Sequence, residues 1–261
     1  MRLLTWNVAG RLTRQPDQAE AVASMGADVV ALQEVTARSL PLWRAALTEM
    51  GYEAAETVLQ AVRTVEPRGT PQRRRRLGVL TAARTPIRRL SSPDIPWPER
   101  ILCCLVDDVE VVNLHSPIAP APELAKIRTH EAVAAYLATR PGGRRVLCGD
   151  LNTPRREFED GDVMTFAYDS AARLRPERGE RWDQAERALV HGLRQQGWVD
   201  AFREVNGYGD RQASWTYPGD RGGWRLDHVL ALDLEPRAAA YAHEWRREGL
   251  SDHSALIVDF A

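Results

Sequence analysis

Six apolar runs in this chain end in, or open on, a side chain suited to acid–base or metal chemistry. "TWN" ends in Asn7, "VVALQE" in Glu34, "VEVVNLH" in His115, and "VLCGDLN" in Asp150 and Asn152. "WRLDHVL" carries Asp227, and "LSDHSAL" places Asp252 and His253 just ahead of its apolar residues. Each alone has a plain reading, because Asn and Asp commonly close turns. Repeated at strand after strand, such groups converge on one rim, where open α/β sheets place ligands. Oxygen ligands without thiolates favour Mg²⁺, which takes one or two carboxylates and keeps several waters. Histidines beside such a site suit proton transfer near neutral pH, and an Asp can orient one of the rings. Asn amides can donate to a phosphate or hold a water where a further carboxylate would repel the anion. The set fits attack of water on phosphorus. It fits acyl transfer poorly, since no Ser or Cys has a nucleophile-elbow context and no His/Cys cluster has zinc spacing.

Positioning these groups requires strands that alternate with helices. Residues 2–6, 28–33, 75–82, 101–106 and 109–115 read as strands, the last two joined by a tight turn at Asp107 and Asp108. Residues 16–25 and 39–50 suit helices. So does 122–140, with Leu124, Ile127, Val133 and Leu137 at helical spacing and Pro122 in its first turn. After "RRVLCGD" come a polar segment 153–179 and a helix over about 180–197. The strands "SWTY", "WRLDHVLAL", 237–245 and "HSALIVDF" follow. Helices and strands mixed throughout predict an α/β sandwich with mixed sheets. No linker divides 1–261, which reads as a single catalytic domain, and the Pro-rich stretch 91–98 reads as a surface loop.

Composition narrows the partners. Lys and Arg total 35 against 36 Asp and Glu, so net charge makes no case for nucleic acid or membrane. Lys126 is the only lysine, a bias that fits codon usage in a GC-rich genome and removes weight from arginine counts. Cys103, Cys104 and Cys148 all lie in apolar runs, which points to reduced thiols. No apolar stretch has the length of a membrane span, and the N-terminus lacks signal-peptide features. The expectation is a cytoplasmic monomer.

"TWNVAG", "LQEV", "GDLNTP", "WRLDHVL" and "LSDHSAL", in this order from residue 5 to 256, resemble the endonuclease/exonuclease/phosphatase superfamily. The resemblance implies a four-layer α/β sandwich, two mixed β-sheets face to face with flanking helices, and a divalent-metal phosphoesterase site at one edge. It implies Glu34 as the main metal ligand, with Asn7 and Asp252 close to it and Mn²⁺ as an alternative to Mg²⁺. Asp150 and Asn152 would bind the attacking water or the scissile phosphate. His253 would be the base or a transition-state stabiliser, with Asp227 holding its ring, and His115 would contact the phosphate or leaving group.

Within that superfamily, residues 180–207 followed by "SWTYPGDRGGWRLDHVLA" are similar to exonuclease III-like abasic-site endonucleases. That similarity implies a DNA substrate, duplex with abasic sites or 3′ ends, and a substrate surface formed by Trp224, Arg225, Leu226 and Arg155. Trp224 and Leu226 would line a pocket for an extruded sugar. Trp215 is expected in the core. Two features depart from this branch: His115 stands where those enzymes carry a tyrosine, and 153–179 lacks their Asn-containing pattern. The rival expectation is a phosphatase or phosphodiesterase acting on RNA or on a small or lipid phosphate ester. A non-catalytic binding module fits less well, because every proposed catalytic position carries a competent residue. The four arginines 73–76 suit either backbone contact or a solvated loop. Arg144, Arg145, Arg155 and Arg156 flank the expected metal site, and His228 is expected to be structural because it points away from Asp227.

Overall fold

The computed structural model describes residues 1–59, 77–118, 124–139, 142–219 and 221–261. The arginines 73–76 and Pro122 lie outside the described residues.

The chain opens with β1 (Arg2–Asn7), α1 (Gln15–Met25), β2 (Val29–Thr36), α2 (Leu40–Glu49), β3 (Ala54–Thr57) and β4 (Leu77–Ala83). Next come β5 (Ile87–Arg89), β6 (Ile101–Val106), β7 (Val109–His115), α3 (Ala125–Ala138) and β8 (Arg145–Asp150). Two short strands follow, β9 (Arg156–Glu157) and β10 (Val163–Met164), then α4 (Gly179–Arg187), β11 (Val199–Asp200) and α5 (Ala201–Asn206). The chain closes with β12 (Trp215–Thr216), β13 (Gly223–Trp224), β14 (Asp227–Leu232), β15 (Pro236–Ala242), α6 (His243–Arg247) and β16 (Ala255–Phe260).

Two six-stranded mixed sheets result, ordered β15-β16-β1-β2-β4-β3 and β11-β14-β8-β7-β6-β5. Strands buried on both faces read as continuous apolar runs, and the side chains divide between the faces with period two. In β1, Leu3 enters the core between the sheets with Val29, Val146, Val229 and Val258. Its neighbours Leu4 and Trp6 turn outward to pack under α1 and α2 with Val22 and Trp43. On the far side, Leu114, Leu147 and Leu230 pack outward against Val133 and Leu137 of α3. Helix, sheet, sheet, helix is the four-layer sandwich expected. Among the described residues no helix is long and apolar enough to cross a membrane. The three cysteines are buried and unbridged, and burial pushes the Cys104 and Cys148 thiols up to about 12.

Some elements differ from expectation. The helix over 180–197 is regular only to Arg187; Gly192 and Gly197 fall inside the remainder, which continues as a wide turn and a 3-10 turn. "SWTY" keeps two paired residues, because Pro218 follows and cannot donate to a ladder. The expected strand 237–245 becomes helical at His243.

Sheet register builds the rim. β1 runs parallel to β2 and β7 runs parallel to β8, so the carboxyl ends of each pair lie together. β14 runs antiparallel to β8 with Asp227 opposite Asp150, while His115 of β7 pairs Asp150 from the other side. β16 runs antiparallel to β1, which brings its start, and hence His253, beside the end of β1.

Gly149 shows how tight this corner is. Its φ is +127°, and an added Cβ would stand 2.1 Å from the carbonyl oxygen of Leu114. The glycine of "GDLN" is therefore required by sterics. Gly149→Ala is expected to lower unfolding free energy by about 2–4 kcal/mol, the sum of backbone strain and forced repacking. Urea denaturation against wild type checks this, and an unchanged midpoint would mean that the corner relaxes freely.

Candidate active site

Glu34 reaches the rim through a local irregularity. Register against β4 slips between Leu32 and Val35, and Glu34 has φ +57°. An unbroken strand would place its side chain on the same face as Leu32, beneath α1 and α2. The bulge turns it to the edge instead, the usual use of such features beside active sites. Asn152, at φ +51°, shows the same kind of strain after β8.

The rim groups contact one another. Asn7 Nδ2 donates to Asp150 Oδ2 at 2.9 Å and reaches Glu34 Oε1 at 3.4 Å. The backbone N–H of Asn152 donates to Asp150 Oδ1 at 3.0 Å. His253 Nδ1 lies 2.8 Å from Asp227 Oδ2, and its Nε2 faces Asp150 Oδ2 at 3.8 Å. Each ring neighbour is braced in turn. Trp6 Nε1 donates to the His253 carbonyl, Tyr241 Oη donates to the Asp227 carbonyl, and Ser214 Oγ accepts from the Asp227 N–H. His115 sits behind the carboxylates, 2% exposed, with Nε2 3.5 Å from Glu34 Oε1 and 3.8 Å from Asp150 Oδ2.

Electrostatics follow from depth. Burial raises the Glu34 carboxyl, and it raises that of Asp150, where Asp227 adds to the rise and His253 opposes it. Burial works against charge on His253, yet Asp227 and Asp150 outweigh it and raise the ring to about 10. Burial, with Arg100 and His253, pushes His115 well below its ordinary range, so it stays neutral.

These groups suit a divalent cation. Asp150 is a buried acid and Glu34 a half-buried one, separated only by the Asn7 amide, and all the donors at that point are oxygen or neutral nitrogen. Asn7 turns its Nδ2 toward them while its Oδ1 accepts from the Ala9 N–H, so ligation through oxygen requires the amide to reverse. Asp150, Asp227 and His253 also bring ligand atoms within 4.8 Å of one another. The Asp227–His253 hydrogen bond already joins two of those three, so the Glu34–Asp150 side is the better cation position.

A cavity of about 620 Å³ opens beside the cluster, lined by Asp150, Asn152, Asp252 and His253 among others. Trp224 and Leu226 line it as expected, and so does Arg155. Trp215 corrects the sequence reading. It is not core but cavity wall, stacked on Trp224 at 5.3 Å and 10°, with its Nε1 donating to Asp252 Oδ2 at 3.3 Å. Arg225 is a second correction. Strand alternation turns it away from its neighbours, and it is buried on Glu157 and Asp200 at 2.6 and 2.5 Å. Arg145 is a third: it begins β8, at the end away from Asp150, and is buried against Glu110 at 3.0 Å. Arg144, beside it, pairs with Asp108. His228 is structural, its Nε2 2.8 Å from the Thr153 carbonyl oxygen.

Two residues escaped sequence reasoning. Arg100 stands over Trp97 at 4.4 Å, where its charge is felt by Glu34 and Asp150; it follows a loop read as surface. Lys126 is buried, bound to Glu186 at 2.5 Å and donating to the Asn152 carbonyl at 2.7 Å. Its status as the only lysine was the available signal.

A family model described as Endonuclease/Exonuclease/phosphatase family matches residues 4–253. The chain belongs to the Endonuclease/Exonuclease/phosphatase family. No curated protein matches it by sequence. Among solved structures, an AP endonuclease from Archaeoglobus fulgidus is similar over 100% of this chain and 99% of its own, at 20% identity and TM-score 0.71. The 3′ phosphatase NExo from Neisseria, bound to product DNA hairpin, is similar over the same shares at 22% identity and TM-score 0.67. A 3′-5′ exonuclease from Neisseria meningitidis is similar at 20% identity and TM-score 0.65, again over 100% and 99% of the two chains. At these identities the likeness establishes the Endonuclease/Exonuclease/phosphatase fold.

Glu34→Gln removes one of the two acids at the cation position. Its affinity for Mg²⁺, measured by isothermal titration calorimetry, is expected to fall by more than roughly 10-fold, the low end for losing a group that supports a metal. Wild-type affinity in that variant would take Glu34 out of the metal site.

Proposed function

We propose that this protein is a Mg²⁺-dependent phosphodiesterase that hydrolyses the DNA backbone, acting as a monomer through one catalytic domain. The observation that carries the reading is the Asp227–His253 pair facing Asp150 across 3.8 Å at the mouth of an aromatic-walled cavity. Family membership supports phosphoester chemistry, and among the similar structures named above one is described as an AP endonuclease and another is bound to product DNA hairpin.

Asp227 accepts from Nδ1, which leaves Nε2 as the atom that handles the proton. A water on the cavity side can hydrogen-bond to both Nε2 and Asp150 Oδ2. Nε2 accepts only when the ring is neutral, the form that a cation offsetting the two acids would favour. The water oxygen then attacks phosphorus in line, its proton passes to Nε2, the ester P–O bond on the far side breaks, and the leaving oxygen takes a proton from solvent. The carboxylates that favour charge on the ring stabilise the imidazolium so formed. Asn152 presents its amide beside this position, held by a bond from its Nδ2 to the Ser116 carbonyl. Glu34, with Asn7 and Asp252 near it, would hold Mg²⁺, or Mn²⁺ in its place. When bound, the cation supplies positive charge that offsets the acids and polarises the phosphate oxygens.

Trp215, Trp224 and Leu226 give the cavity an apolar wall suited to a sugar or base drawn out of a duplex. Three labelled duplexes test this in Mg²⁺ and in chelator: intact, nicked with a free 3′ end, and carrying one abasic-site analogue. Metal-dependent incision at the abasic analogue is expected. Digestion without that preference would make the protein a general nuclease, and cleavage of none would move it to a phosphate ester other than DNA. His253→Ala is expected to slow turnover by roughly 10²–10⁴ while DNA binding in chelator is retained. Wild-type turnover in that variant would sink the mechanism.

A further inference from the structure

Arg155, Arg175 and Arg178 come from the segment 153–179 and line the same cavity as Asp150 and His253. None of the three makes an ion pair with a described residue. Arg155 lies over the Phe166 ring at 6.0 Å, and Arg178 lies over Trp182 at 4.5 Å and donates to the Phe166 carbonyl. The Nε of Arg175 is buried without a partner. Several other poorly exposed arginines are neutralised: Arg145, Arg187, Arg203 and Arg225 each sit on a carboxylate, while Arg84 and Arg194 bond to backbone carbonyls instead. Below this wall Lys126 is matched by Glu186. An arginine-rich composition explains how many arginines there are, but not why three unpaired ones crowd one cavity. Crowding is unfavourable, since burial together with the charges of Arg175 and Arg155 pulls Arg178 below its ordinary value.

Ring contacts order the cavity. Asp252 accepts from Trp215, Trp215 stacks on Trp224, Trp224 meets Phe166 edge-on at 5.3 Å, and Phe166 lies under Arg155. A row of aromatic rings thus connects the catalytic rim to the three guanidiniums. A ligand matching this sequence has an anion at each end and a flat or apolar middle. Guanidinium forks recognise phosphate oxygens in pairs, which suits the distal end to a phosphate. The volume falls within the range of small-ligand sites.

We infer that the cavity takes a nucleotide substrate with two phosphates, one hydrolysed at Asp150 and His253 and the second held by Arg155, Arg175 and Arg178. The inference deepens the phosphodiesterase reading and rests on it for the first phosphate. The second phosphate is either a terminal monoester or the neighbouring diester of the strand.

The subsite is tested without catalysis. In chelator the rim carboxylates offset the charge on the His253 ring, and the arginine variants show how much of any gain from a phosphate comes from the distal wall. Thymidine 5′-monophosphate is expected to bind at least ~10-fold tighter than thymidine, a difference of about 1.4 kcal/mol, by tryptophan fluorescence titration. Arg175→Gln with Arg178→Gln is expected to abolish that gain. Arg175→Gln alone leaves Arg178 on Phe166 and Trp182 and is expected to lose part of it. No gain in wild type, or a full gain in both variants, overturns the subsite. Hydrolysis of TpT, pTpT and TpTpT in Mg²⁺ then identifies the source. A lower KM for pTpT than for TpT assigns a terminal phosphate, and a lower KM for TpTpT alone assigns the neighbouring diester. Equal KM for all three overturns the two-phosphate reading. A wild type that hydrolyses none refutes the DNA reading, while the chelator titration still decides the subsite.

Discussion

The carboxylate of Asp150 ends β8 only 2% exposed, with Asp227 opposite it on the neighbouring strand and Glu34 across the sandwich. An ionised carboxylate withdrawn from water is unfavourable by several kcal/mol unless donors and opposite charge surround it. The donors here are the Asn7 amide and the Asn152 backbone N–H, and the opposite charge is the ring of His253 at 3.8 Å. They come from the end of β1, the turn after β8 and the residues before β16, which no short piece of chain brings together. The site therefore exists only when both sheets are closed on each other. Its acids also make a cation's arrival favourable, so the strain that the fold tolerates is the affinity that the chemistry needs.

A polar seam between the sheets fixes that closure. Gln33 Nε2 donates to Thr5 Oγ1 at 3.0 Å and to Asn113 Oδ1 at 2.8 Å, crossing from one sheet to the other. Asn113 Nδ2 in turn donates to the Leu80 carbonyl at 3.0 Å. Buried amides left without partners each cost about 1–3 kcal/mol, so a register slip in β1, β2 or β7 would orphan several at once. Gly149 belongs to the same layer, since a Cβ there would also stand 3.2 Å from Gln33 Nε2. Apolar packing alone tolerates sliding; this seam does not. Placement of His115, Asp150 and Glu34 is thus specified one or two residues beneath them.

The strand ends were legible in the sequence because each carries its signal locally: an apolar run with a boundary, then a polar group. Residues 101–106 and 109–115 are strands over their full expected spans for that reason. Family motifs placed Glu34, Asp150 and His253 on a common rim, and the register brings them there. What was not legible depends on partners distant in the chain. Arg225 looks like a substrate contact beside Trp224, but Glu157, 68 positions earlier, claims its guanidinium. Trp215 looks like core until Asp252, 37 positions later, is seen to hold its ring nitrogen at the cavity. Arg100 carries no local signal at all.

The segment 153–179 shows how arginines with the same composition divide into two roles. It holds little regular structure beyond the β9–β10 pair, so backbone ladders do not position it. Ion pairs do: Glu157 bridges Arg203 and Arg225, Arg225 continues to Asp200, and Asp162 takes Arg187 from α4. Buried pairs of this kind add little net stability but fix geometry, because separating one partner strands the other's charge. Arg225 and His228 hold the Asp200 carboxyl far below its usual range in spite of its burial, a sign of how fully the network is satisfied. A segment pinned in this way can keep Arg155, Arg175 and Arg178 at one cavity wall against their mutual repulsion. The paired arginines supply the anchoring force, and the unpaired ones are left to meet an anion from solution.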